Sequence, residues 1–304
     1  MSARDDAEGP AGHDDGTIPW RTFLAEAERR LATAGLPSPD VDARRIVERV
    51  TGASGAELIL ALDDPATERG VGFFDAMLAR REAGEPLQYV LGAWGFRRLD
   101  LFVDRRVLIP RPETEEVVEH ALAELDRVAP TAAARVVDLG TGSGAIALSI
   151  AVERESAEVW AVERSTDAAA VARANLAGIG RAATRVRIVE GSWFDPLPDE
   201  LRGTVSMVVS NPPYVAPDDD LPPEVADWEP RDALVPGPTG FEAIDEIVSA
   251  APGWLAAAGC LVVELAPDQG DDAVAAAWRA GFAHAETRPD LVGRTRMLVA
   301  RLEA

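Results

Sequence analysis

The run Val136-Val137-Asp138-Leu139, followed by Gly140-Thr141-Gly142-Ser143-Gly144 and then Ala145-Ile146-Ala147-Leu148-Ser149-Ile150-Ala151, constrains this chain more than any other stretch. It reads as a short buried strand, a glycine-rich turn and the start of a helix, which is the nucleotide-binding βα unit. Glycines in such a turn admit positive φ and let a ligand come close to the backbone. A second strand is expected at Ala157-Glu158-Val159-Trp160-Ala161-Val162, ending at Glu163. Glu163 stands 23 residues after Gly140, where an acid would receive ribose hydroxyls. Strand-like runs at 135–139, 158–162, 186–190, 205–210, 259–265, 281–286 and 295–302 alternate with helical ones. That alternation specifies an α/β fold, a Rossmann-like doubly wound sheet with ligands at the carboxyl ends of its strands. The turn is G-x-G-x-G with no Lys-Ser or Lys-Thr after it, so it is not a phosphate-binding P-loop. S-adenosylmethionine carries an adenosine without phosphate and fits this pattern better than NAD.

The second informative stretch is Asn211-Pro212-Pro213-Tyr214, directly after the apolar run Val205-Ser206-Met207-Val208-Val209. Each proline removes a backbone donor and fixes φ, so the loop is stiff and cannot continue a sheet ladder. An Asn amide oxygen and a neighbouring carbonyl can together accept hydrogen bonds from an –NH₂ group, and an aromatic ring can cover a flat substrate. The stretch reads either as a Pro-rich turn closed by Asn or as a site for a planar amide or amine nitrogen. It follows a strand in the same sheet pattern as the glycine-rich turn, so one crevice can hold both.

With both motifs present, the chain resembles the class I S-adenosylmethionine-dependent methyltransferases, and more narrowly the HemK/PrmC family, which methylates a glutamine side-chain amide in bacterial peptide chain release factors. The resemblance covers roughly residues 20 to 302. Beyond the two motifs it rests on Glu85-Pro86-Leu87-Gln88-Tyr89-Val90-Leu91-Gly92, Val107-Leu108-Ile109-Pro110-Arg111-Pro112-Glu113-Thr114-Glu115, Gly191-Ser192-Trp193-Phe194 and Pro289-Asp290-Leu291-Val292-Gly293-Arg294. It implies that Gly140, Thr141, Gly142, Ser143 and Gly144 bind the methionine end of the cofactor. Glu163 would hold the ribose and Trp193 would pack on the adenine. Asn211 and the Pro212 carbonyl would orient the glutamine amide, with Pro213 and Tyr214 bordering it; Asn211 would also meet the cofactor. Two departures stand out: Glu163 occupies a position where Asp is frequent, and Ser192 one where many relatives have Asp. The acceptor for the adenine amino group is therefore open between Asp195 and a backbone carbonyl.

The implied organisation is an acidic disordered tail at 1–17, a small helical bundle at 18–91 that docks the protein substrate, a hairpin linker at 92–108 and the catalytic domain at 109–304. The bundle has its own pattern. Phe23, Leu24, Ala27 and Leu31 recur at helical spacing; Asp40 is expected to cap a second helix carrying Ala43, Ile46, Val47 and Val50; Phe73, Phe74, Met77 and Leu78 give an apolar face to a later one. Net charge is −22 and all 30 basic residues are Arg, a poor balance for general nucleic-acid binding. The alternative reading, methylation of an exocyclic amine of adenine or cytosine in DNA or RNA, shares the N-P-P-aromatic loop. A non-catalytic cofactor-binding scaffold is a third.

One cysteine, Cys260, in an apolar run, permits no internal disulfide and reads as strand filler. Histidines at 13, 120 and 284 give no metal-ligand spacing. Asp218-Asp219-Asp220 reads as a solvated loop, and Glu113, Glu115 and Glu116 as the acidic opening of a helix. With no apolar run near ~20 residues and no signal peptide, a cytoplasmic protein is expected.

Overall fold

The computed structural model describes residues 17–130 and 133–304. The expected acidic tail, apart from Thr17, lies outside the described residues, as does His13. The chain divides into two compact units, one ending at Leu91 and the other beginning at Gly92.

The first unit is built of α1 (Trp20–Thr33), α2 (Pro39–Thr51), α3 (Gly55–Ala61), α4 (Glu68–Glu82) and the short α5 (Leu87–Leu91). Their apolar stripes meet in one core of Trp20, Ala27, Leu31, Ile46, Val47, Phe74 and Leu78, with Met77 packed against it. Phe73 departs from the expected face: it is half exposed, with the Arg69 guanidinium over its ring. Asp40 does not cap α2. Ser38 holds the cap position and Pro39 opens the helix, its fixed φ suiting the first turn; Asp40 and Asp42 follow inside that turn, where acids suit the helix dipole. Asp42 is also buried, and its Oδ2 accepts from Arg81 Nε at 2.7 Å. Arg81 Nη1 donates to the Glu85 carbonyl at 3.0 Å, and Arg80 grips the Glu85 carboxylate at 2.6 and 2.8 Å. The E-P-L-Q-Y segment thus closes this unit through arginine. Asp42→Ala removes the buried carboxylate that accepts from Arg81 Nε and is expected to destabilise the unit by ~1.5–3 kcal/mol, the worth of a hydrogen bond to a charged group, read as a lowered urea midpoint.

The second unit opens on a hairpin, β1 (Trp94–Phe96) and β2 (Leu99–Leu101). Expected as a linker, residues 92–108 are part of this unit instead. Phe96, Leu101 and Val103 are buried. Arg97, at the hairpin turn with φ +50°, binds Glu153 at 2.6 and 2.9 Å and Glu119 at 2.9 Å.

There follow α6 (Pro112–Val128), β3 (Ala134–Leu139), α7 (Ala145–Glu153), β4 (Ala157–Glu163), α8 (Thr166–Gly178), β5 (Val186–Glu190), β6 (Val205–Ser210), α9 (Pro223–Trp228), α10 (Glu242–Ala250), β7 (Leu255–Glu264), α11 (Gly270–Ala280), β8 (His284–Pro289) and β9 (Thr295–Arg301). The seven-stranded sheet runs β5-β4-β3-β6-β7-β9-β8. The first five strands are parallel; β9 runs antiparallel to both its neighbours, β7 and β8, so β8 shares the direction of the first five. The late strand expected at 281–286 begins at His284, because Gly281 adopts φ +94° to end α11 and Phe282 turns into the core. The central strands are buried on both faces, as their continuous apolar runs require. Cys260 is buried within β7, and burial pushes its thiol up to about 12, so it is inert filler as expected.

The chain winds from β3 outward through β4 to β5, then returns to β6 on the other side of β3. Neighbouring β3 and β6 therefore mark the topological switch point, where a crevice opens beyond the carboxyl ends. Leu139 pairs with Ser210, and Ser210 Oγ donates to the Leu139 carbonyl at 2.7 Å. The next residues are Gly140 and Asn211, so the register delivers both motifs to one crevice.

Candidate active site

A cavity of about 680 Å³ occupies that crevice, within the ~300–1,000 Å³ of small-molecule sites. Gly140, Thr141, Gly142, Ser143, Glu163, Trp193, Asn211 and Pro213 line it. Gly144, Pro212 and Tyr214 are not among the lining residues. Gly144 has a packing role: at φ +88°, a Cβ there would stand 2.9 Å from Leu148 Cδ1. The Tyr214 ring packs against the core beneath the sheet ends, and its hydroxyl points at Glu264.

The glycine-rich turn is held by its neighbours. Gly140 N and Thr141 N both donate to the Val162 carbonyl at 2.9 and 3.0 Å. Asn175 on α8 donates to the Ser143 carbonyl at 2.8 Å while exchanging bonds with the Phe102 backbone. No sequence signal marked Asn175; only the packing of α8 brings it there. Glu163, buried at the end of β4, accepts from Gly142 N at 2.8 Å and from Ser165 N at 2.9 Å. A carboxylate offers about four lone-pair sites, so two remain for a diol. The longer arm of Glu is accommodated because it also ties down the turn. These residues fit S-adenosylmethionine: a phosphate-free glycine cradle, an acid with spare acceptors, and an indole on the wall.

Trp193 sits at φ +41°, a left-handed conformation uncommon for a bulky residue, and its Nε1 donates to Glu246 Oε2 at 2.9 Å. Ser192, Glu242 and Glu246 line the same side of the cavity, whereas Asp195 is not among the lining residues. Glu242 and Glu246 come from α10 and were not singled out from the sequence, since two acids on an amphipathic helix look like a solvated face.

Asp138, at the end of β3, is wholly buried. Its Oδ2 accepts from Thr141 Oγ1 at 2.6 Å and Ala147 N at 3.1 Å, while Oδ1 has no partner. Burial pushes its carboxyl up to about 7 against those two bonds, and the Glu163 charge adds to the rise. In the unfolded chain the same group ionises near pH ~4. Its contribution to stability is therefore complete below about pH 4 and is lost as pH rises through about 7. Asp138→Asn keeps both donors on its amide oxygen and removes the titration. The variant is expected to show a flatter fall in urea midpoint between pH 5 and 8 than the parent, by the equivalent of a few kcal/mol; parallel curves would refute the linkage.

On the β6 side, Asn211 Nδ2 donates to Thr114 Oγ1 at 3.1 Å. Thr114 Oγ1 donates to Glu264 Oε2 at 2.7 Å, and Tyr214 OH to Glu264 Oε1 at 3.0 Å. Desolvation raises the Glu264 carboxyl above its ordinary range against these two bonds, and it raises the Tyr214 phenol as well. Thr114 and Glu264 were missed as site residues. A strand-ending acid was the available signal, because Glu264 closes β7 as Glu163 closes β4.

The segment after Tyr214 is clamped. Gln269 Nε2 donates to the Tyr214 and Gly240 carbonyls at 3.0 and 3.1 Å. Glu229 accepts from Ile109 N at 3.2 Å and Arg111 Nη2 at 2.5 Å, tying the L-I-P-R-P-E-T segment to this loop. Asp219 closes its own turn by accepting from Ala216 N at 2.9 Å, which suits the loop reading of the three aspartates. Among the described residues no group of His, Cys, Asp and Glu is arranged for a metal ion.

Residues 22–92 match the PrmC N-terminal domain model, and residues 120–225 the methyltransferase small domain model. The release factor glutamine methyltransferase of Cereibacter sphaeroides is 39% identical over 286 residues, covering 92% of this chain and 98% of its own. The chain belongs to the release factor glutamine methyltransferase family. The family member of Burkholderia pseudomallei is 42% identical over 273 residues, covering 88% of this chain and 93% of its own. Among solved structures, the catalytic domain of hMettl16, in complex with MAT2A 3'UTR hairpin 6, superposes with TM-score 0.51 over 78% of this chain and 82% of that one. At 14% identity it shows the methyltransferase fold alone. The enzyme is thus a methyltransferase, and S-adenosylmethionine is its methyl donor. That donor supplies an already activated sulfonium methyl; binding and alignment are left to the protein. No helix among the described residues is long and apolar enough to cross a membrane.

Proposed function

We propose that this chain methylates the side-chain amide nitrogen (N5) of the glutamine in the Gly-Gly-Gln motif of bacterial peptide chain release factors. The observation that carries the reading is Asn211. It lines the cavity beside the glycine-rich turn, with its Nδ2 held by Thr114 and its Oδ1 left as the acceptor end. An amide nitrogen is a poor nucleophile because its lone pair is delocalised. Asn211 Oδ1 and the Pro212 carbonyl accept its two N–H bonds and aim the nitrogen at the methyl. Those bonds strengthen as positive charge grows on the nitrogen, so they favour the transition state over the bound substrate. Alignment supplies much of the rest. Gly140 to Ser143 and Glu163 hold the methyl donor, and Trp193 packs on its adenine. The helical unit docks the release factor. A chain with net charge −22 and only arginine cations disfavours nucleic acid as the substrate, and the enzyme works in the cytoplasm, where release factors act.

The test is label transfer from methyl-tritiated S-adenosylmethionine to purified release factor, to the same factor with the Gly-Gly-Gln glutamine replaced, and to mixed nucleic acid. Label on the unmodified factor alone is expected. Label on nucleic acid alone would replace this reading with amino-methylation of a base.

A further inference from the structure

Glu264 is 1% exposed and lies at the carboxyl end of β7, one residue beyond the strand pairing that joins β6 and β7 at Ser210 and Val263. Both of its oxygens accept from hydroxyls, Oε2 from Thr114 and Oε1 from Tyr214. The strands pair through their backbones, so the fold does not need a charge at this position. Replacing buried ionic groups by apolar ones of similar shape is often neutral or stabilising. The carboxylate therefore calls for another explanation.

A hydroxyl has one proton and two lone pairs. The Thr114 proton is committed to Glu264, so toward Asn211 the Thr114 oxygen can only accept. The Asn211 amide must then present Nδ2 to Thr114, at 3.1 Å, and Oδ1 away from it. Without the carboxylate, Thr114 can turn its proton on Asn211, and the amide can settle with its ends exchanged. A reversed amide offers a donor where the substrate –NH₂ needs an acceptor. Arg296, whose charge bears on Glu264, and Glu113, beside Thr114, are the other charged groups near it.

We infer that Glu264 is a positioning residue for methyl transfer: acting through Thr114, it fixes which end of the Asn211 amide faces the substrate nitrogen. The assignment rests on the amide-methylation reading and gives that site its orienting element.

The experiment measures kcat on release factor, the S-adenosylmethionine Kd by calorimetry and the thermal midpoint, for Glu264→Met, Thr114→Val, Thr114→Ser, Asn211→Ala and the Asn211→Ala/Glu264→Met pair. Glu264→Met and Thr114→Val are expected to lower kcat by about 10²-fold, the size of losing one aligned hydrogen bond to developing charge, with the methyl-donor Kd and thermal midpoint near those of the parent. Thr114→Ser, which keeps both proton and lone pairs, is expected to retain most of the rate. The pair is expected to be no slower than Asn211→Ala alone, because the two act as one unit. In ¹⁵N-labelled protein without release factor, the Asn211 side-chain amide signals are expected to shift in Glu264→Met and Thr114→Val but not in Thr114→Ser.

Parent-like kcat in both Glu264→Met and Thr114→Val, or losses in the pair that multiply, would overturn the assignment. If Glu264→Met does not fold, the Thr114→Val and Thr114→Ser contrast decides. Parent protein that leaves the release factor unlabelled would sink the amide reading; label on the factor with indifferent variants would sink the positioning role alone.

Discussion

Replacing Asn211 by alanine is expected to lower kcat on release factor by about 10²–10³-fold, equivalent to ~3–4 kcal/mol of transition-state stabilisation, while S-adenosylmethionine binds nearly as before. The amide lies on the cavity wall and is held from behind by Thr114. Alanine leaves the rigid Pro212-Pro213 backbone in place but removes the amide oxygen proposed to accept from the substrate –NH₂. Charge grows on that nitrogen only during transfer, so the loss should fall on kcat and leave KM little changed. The glycine-rich turn and Glu163 are untouched, which is why donor binding should survive. An Asn that merely closes a turn would behave differently: the thermal midpoint would fall and turnover per folded molecule would not. Steady-state kinetics beside calorimetry separate the two, and near-normal kcat with the donor bound would refute the proposed role.

The second large effect is expected at Glu163. Glu163→Ala should weaken S-adenosylmethionine about 10²–10⁴-fold, because two hydrogen bonds from hydroxyls to a carboxylate, each worth ~1.5–3 kcal/mol, would lose their acceptor. The same substitution frees Gly142 N and Ser165 N, so the turn loses a restraint in the absence of ligand as well. Glu163→Asp should retain more affinity, since a shorter arm can reach either the turn or a diol. Calorimetric titration with S-adenosylmethionine and with its demethylated product tests this. Equal weakening of both ligands is expected, as neither differs at the ribose; an unchanged Kd in Glu163→Ala would remove Glu163 from the site.

The family segments outside the two motifs acquire physical content of their own. Glu85 is the partner of Arg80 within the helical unit. In the L-I-P-R-P-E-T stretch, Ile109 and Arg111 secure the loop after Tyr214 through Glu229, and Thr114 reaches Asn211. Burial raises the Glu229 carboxyl against the pull of Arg111.

The sequence by itself determined the alternating architecture, the glycine-rich turn after β3, the acid ending β4 and the stiff Asn-Pro-Pro loop after β6. Each is a local matter: glycines at positive φ, prolines without donors and unbroken apolar runs state their conformation within a few residues. Tertiary structure alone decided what those residues do beside one another. The β3–β6 register sets Gly140 against Asn211. The packing of α6 and the reach of β7 bring Thr114 and Glu264, 150 residues apart, to 2.7 Å. Tyr214, which the motif suggested would border the substrate, turns its hydroxyl to that same carboxylate. A hydrogen bond between distant residues leaves no periodicity in either neighbourhood. It exists only once the hydrophobic core has fixed where the strand ends lie.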